Sequence, residues 1–160
     1  MTTSASYPFC IATIVTDKAI EAMLEGSGTG SYRDEHPWLV AKDMWQVATD
    51  QGLQVPILFA VTHNSGDANF SHWSVITDIE VVELHRAQWD SRCSFSALQA
   101  FNPIWESIDS VFVKASQEQM DREAREGIRV FRQALDEYHI HPYAICETPA
   151  FISAEMTVQG

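Results

Sequence analysis

Residues 55–85 read VPILFAVTHNSGDANFSHWSVITDIEVVELH, two β-rich runs separated by a Gly/Asn/Asp turn. That is the signature of an antiparallel hairpin. The turn carries His63, Asn64, Ser65 and Asp67, and the returning strand opens with His72 and Trp73. Polar groups and an aromatic at the mouth of a hairpin suit a small-ligand or base-reading site, and they suit an ordinary solvated turn equally well. Further along, Val75, Ile76, Ile79, Val81, Val82 and Leu84 form a dense apolar run broken by Asp78, Glu80 and Glu83. The alternation from Ile79 onward is imperfect, which predicts a bulge or a change of face near Val81 and Val82.

Working outward toward the N-terminus, CIATIV within residues 9–15 is nearly all apolar or β-branched and predicts a strand. Thr16 and Asp17 can cap a helix running to about Glu25, with Ile20, Met23 and Leu24 on its buried side and Gly26 as its stop. Residues 26–37, GSGTGSYRDEHP, read as a loop by composition. Their glycines do not follow a strand and open a helix in the dinucleotide-binding manner, so a phosphate-loop reading is rejected. Pro37 suits a first helical turn, and residues 38–50 follow as a helix with Val40, Met44 and Val47 on one side and Gly52 at its end.

Toward the C-terminus, residues 95–105 read as short helix or irregular chain, broken by Pro103, and SVFVK at 110–114 as a short strand. Residues 116–138 carry the clearest helical pattern. Ser116 and Gln119 form a capping box, and Met120, Ala124, Ile128, Phe131, Leu135 and Tyr138 recur at three- and four-residue spacing. Tyr143 to Cys146 read as extended, as do Phe151 and Ile152.

The length of 160 residues predicts a single domain over 1–160 with a real core, and the 46% hydrophobic share excludes a disordered chain. Cys10, Cys93 and Cys146 form no CxxC pair, so a reducing compartment, buried inert thiols and no disulfide framework are expected. The first residues lack a positive leader region, and no apolar run approaches membrane-spanning length, so a soluble cytoplasmic protein without a membrane partner is expected. A net charge of −12 disfavours a nucleic-acid partner, because phosphate binding is driven by Lys and Arg.

Four groups of residues carry candidate chemistry. Arg122, Arg125, Arg129 and Arg132 would lie within an arc of roughly 80° on a continuous helix, a row suited to phosphates or another anion. Glu118, Glu126 and Asp136 stand at pairing distance along the same helix, so a salt-bridged solvated face is the competing reading. His139 and His141, with Cys146 or Glu147, and separately His63 with His72, could be written as metal ligands. Neither set has a recognised metal spacing, and no metal or other cofactor is assigned. Cys146 with either tail histidine could be written as a nucleophile pair, although the apolar run YAIC points to burial. Trp38 flanks the glycine-rich segment, Trp45 lies on the following helix, and Phe70 and Trp73 flank the hairpin mouth, a set of flat rings that can stack a planar ligand. Trp89 and Trp105 read as core.

The order of these elements (strand, helix, the Trp38 helix with AKDMWQVATDQG, then VPILFAV and HWSVITDIEVVEL) resembles the PUA-like β-barrel superfamily, including its EVE- and ASCH-type members. The resemblance covers roughly residues 9–115 and is one of pattern and order. It implies a small bent barrel flanked by helices, with a pocket between the first helices and the barrel, lined by Trp38, Asn64 and Trp73. Some members bind RNA or modified bases there and others are small hydrolases. The expected fold is therefore α+β, a small barrel-like mixed or antiparallel sheet flanked by helices. The expected function is recognition of a nucleobase-like or nucleotide ligand. Trp38 and Trp73 would stack it, His63 and Asn64 would bond its edge, and the arginine row would meet phosphates. The alternatives are a small-molecule enzyme using His63 or His72 as general acid/base, and an acidic protein-interaction module without chemistry.

Overall fold

The computed structural model describes residues 5–25, 29–62, 68–96, 98–100, 106–108, 111–130, 132–136, 140, 143–149 and 152. Its centre is the expected hairpin. Strand β3 (Pro56–Thr62) runs antiparallel to β4 (Ala68–His85), pairing Pro56 with Val75 and Thr62 with Ala68. Strand β1 (Phe9–Val15) lies on the other edge of β3 and runs parallel to it. A parallel neighbour needs a crossover, and here it contains helix α1 (Asp17–Glu25), strand β2 (Thr29–Asp34) and helix α2 (Leu39–Asp50). Strand β5 (Gln88–Ser96) pairs with β4 on one edge and with β2 on the other. The short strands β6 (Gln99–Ala100) and β7 (Glu106–Ser107) carry the same edge of β4 onward to Asn69. Helix α3 (Gln117–Glu126) follows, and β8 (Ala144–Glu147) closes the sheet by pairing antiparallel with β1. The order is β2-β5-β4-β3-β1-β8. The path is open rather than closed into a barrel, and the fold is α+β.

The middle strands are buried on both faces, which is why VPILFAV and CIATIV are almost continuously apolar. On one face Ile11, Val15, Ile57, Phe59 and Val61 pack with Ile20, Trp38, Ala41 and Ala48 from the α1 and α2 region. On the other, Cys10, Ala12, Leu58 and Ala60 pack with Ile108, Val111, Leu135, Ile140, Cys146 and Ile152 from the C-terminal third. A fully buried Phe or Ile side chain contributes ~1.5–3 kcal/mol, so both coverings matter to the sheet.

Several sequence expectations are corrected. Thr29–Asp34, inside the expected loop, is a strand. Tyr32 turns in against Phe59 and Trp38 while Ser31 and Arg33 stay exposed, a two-residue period. Gly30 serves close approach there, since a Cβ at that position would stand 2.6 Å from Phe95 Cε2. Strand β5 was not expected at all, because its inward positions include Ser91 and Cys93 beside Phe95, too small and polar to read as a strand face.

The helix expected over 116–138 stops at Glu126. Gly127 adopts φ 69°, and its N–H donates to Glu123 O. A glycine in the left-handed conformation ends a helix whatever apolar pattern continues beyond it. Arg129 and Arg132 are therefore not on that helix. Among the described residues of SVFVK, 111–114, there is no extended strand but two isolated bridges, Phe112 with Ala134 and Val113 with Cys146. The register shifts fall between Phe59 and Ala60, Ile76 and Asp78, and Glu83 and His85, not at Val81 and Val82.

Candidate functional site

The turn that joins β2 to α2 carries Asp34, His36, Pro37 and Trp38, and it is tied down from three directions. Trp38 is 1% exposed, and its indole Nε1–H donates to Asp34 Oδ2 at 2.7 Å. His36 Nδ1 lies 2.8 Å from Asp34 Oδ1. The buried Ser91 of β5 clips the backbone. Its Oγ accepts from Trp38 N–H at 3.1 Å and donates to His36 O at 2.6 Å. Tyr143 braces the far side with its ring 4.5 Å from that of Trp38 and its phenol oxygen accepting from Ala41 N–H at 3.3 Å. Burial pushes the Tyr143 hydroxyl above its ordinary range, so it stays protonated at neutral pH.

Beside this turn opens a cleft of about 640 Å³ lined by His36, Pro37, Val113, Lys114, Ala115, Tyr143, Ala144 and Ile145. That size falls within the range of small-molecule sites. The walls are apolar apart from His36, Lys114 and Tyr143. Lys114 is half-buried, with Nζ 5.0 Å from the Phe9 ring centroid and donating to Ala115 O at 3.3 Å. Among the described residues no carboxylate is in ion-pair range of this ammonium. A half-buried cation in a chain of net charge −12 would ordinarily find a carboxylate partner.

The expected site residues are distributed differently. Trp38 and Trp73 are 1% and 3% exposed and belong to the cores on opposite faces of the sheet, so they do not flank one ligand. His72 is half-buried on β4, its Nδ1 is 2.9 Å from Ser71 Oγ, and burial holds its pKa below the ordinary value. His63 and Asn64 lie outside the described residues, as do His139 and His141. Cys10, Cys93 and Cys146 are buried free thiols.

The arginines are largely engaged with acids. Arg122 pairs with Glu126 at 3.0 Å and Arg129 with Glu147 at 3.0 Å. Arg132, 8% exposed at the side chain, reaches both Glu123 at 2.6 Å and Glu147 at 2.7 Å. Arg125 sits in the last turn of α3. Among the described residues no group of three or more His, Cys, Asp or Glu gathers as a metal site, and no helix is long and apolar enough to cross a membrane.

Sequence reasoning passed over Asp34, His36, Lys114 and Tyr143. The signal was DEHPW: a carboxylate two residues before a histidine, with Pro37 restricting the backbone of His36. It was hidden because the segment reads as a loop. Lys114 and Tyr143 reach the cleft only through the pairing around β8, which no local pattern encodes. No protein-family model, curated protein or solved structure matches the chain.

Proposed function

We propose that the protein is a small-molecule recognition domain whose site is the cleft between the β2–α2 turn and the Val113–Ile145 wall. Its ligand is a compact organic anion with an apolar or aromatic body. The single observation that carries this reading is Lys114, a half-buried ammonium at the wall of an apolar cleft, without a carboxylate partner among the described residues. A carboxylate or phosphate supplies the missing counter-charge, while Val113, Ala115, Ile145 and the Tyr143 ring receive the body. A nucleotide is one such ligand, and it keeps the nucleobase expectation of the sequence with its contacts moved from Trp73 to this cleft.

Calorimetric titration with nucleoside monophosphates and substituted benzoates tests it. Binding is expected for at least one anion, weakened about tenfold or more by Lys114→Met and unaffected by Arg125→Ala. Equal affinity in wild type and Lys114→Met, or no binding across the series, overturns the reading.

A further inference from the structure

We infer that the cleft selects anions bearing an O–H or N–H donor, that His36 Nε2 is the atom that accepts it, and that Asp34 and Trp38 are the positioning residues that make it an acceptor. The inference rests on the cleft being the binding site. An ionised carboxylate only accepts hydrogen bonds. Asp34 receives two: Trp38 Nε1–H on Oδ2 at 2.7 Å, and the His36 ring on Oδ1 at 2.8 Å. The second contact requires the proton of a neutral imidazole to sit on Nδ1, which leaves the Nε2 lone pair free to accept.

The contact is more than a chance surface pair. Asp34 is 12% exposed at its side chain, and its second oxygen is occupied by the buried indole, so the carboxylate cannot rotate away. The His36 backbone is pinned as well, because its carbonyl accepts from Ser91 Oγ. The ring itself is 55% exposed and lines the cleft. Trp38 thus aims Asp34, Asp34 sets the tautomer, and the ring presents an acceptor to the space that Lys114 makes anion-selective. A ligand with an anionic group and no donor leaves that acceptor unmatched, and the cleft discriminates against it.

The tautomer is read without ligand, from two-bond nitrogen–proton spectra of the free protein at about pH 8, with His36→Gln identifying the resonances among the six histidines. The Nδ1–H form is expected for His36, and Asp34→Asn is expected to abolish that preference while the protein stays folded. An Nε2–H form in the wild type overturns the inference, as does an unchanged tautomer in Asp34→Asn. Selectivity is read by titrating 4-hydroxybenzoate against 4-methoxybenzoate. The hydroxyl compound is expected to bind about tenfold tighter, and His36→Phe to erase the difference. Equal binding of the two compounds in the wild type, both lost in Lys114→Met, overturns the donor inference and leaves the anion reading standing. Equal binding of either compound in wild type and Lys114→Met overturns the anion reading instead, and failure of both compounds to bind counts against both.

Discussion

Arg132 sits beyond the end of α3 with its guanidinium almost covered and both sides of the fork filled, one by Glu123 and the other by Glu147 on the edge strand β8. Glu123 also accepts from Val130 N–H at 2.7 Å. The cluster thus fastens the chain after the helix to the sheet, and an Arg132→Met variant strands two acids. A fall in Tm of about 5 °C is expected by scanning calorimetry, and an unchanged Tm would mean the cluster is solvated and idle. The pH dependence follows from Glu123, whose carboxyl the Arg132 hydrogen bond holds below its ordinary value. Its stabilisation is fully present above the unfolded carboxyl pKa and is lost as pH falls through the lower folded value. Arg132→Met should flatten that acid limb of the stability curve.

The cysteines make a second prediction at this scale. Burial pushes Cys93 and Cys146 up to about 12 and Cys10 well above its ordinary value. The thiolate is the reactive form, so Ellman's reagent at neutral pH should find no thiol among the three in the native protein and all of them in guanidinium. Rapid native labelling would contradict the burial. This is also where the sequence read well, since three widely spaced thiols without a CxxC pair predicted buried, unpaired cysteines.

Among the elements, two glycines decide what can change. At Gly127 the backbone has φ 69° with open space around it, so Gly127→Ala should cost about 1 kcal/mol by strain alone in urea unfolding. At Gly30 the constraint is packing, because an added methyl meets the Phe95 ring, itself buried. Gly30→Ala should cost about 1–3 kcal/mol, and a neutral result would show that β2 can slide on β5. The same positions explain what pattern reading missed. Strong periodicity carried the 116–138 reading past Gly127, and glycine content turned β2 into a loop. The elements read correctly, β1, α1, α2, β3, β4, the capped start of α3 and, displaced by one residue, β8, are those where apolar spacing, caps and turn residues agreed. The site escaped because His36 lies between elements and Lys114 beside an isolated bridge, where no period exists to be read.

For the whole molecule, the decisive fact is that one sheet carries two cores. Helices α1 and α2 cover one face, and the other is covered by chain from Ile108 onward. A protein cut after residue 107 should retain strands by circular dichroism, bind a hydrophobic dye strongly and lose cooperative unfolding. A sharp, dye-silent transition in that fragment would show that the second covering is dispensable.

Strand β8 has a consequence of another kind. Its bond from Cys10 Sγ to Glu147 O joins positions 137 residues apart. A ribosome releases these two positions many seconds apart. Until β8 and the chain from Ile108 that precedes it have been translated, the nascent chain therefore has β1 as an unfilled edge and one face of its sheet greasy and bare. The finished fold shields both, and the interval before it does is when a holding chaperone would have something to grip.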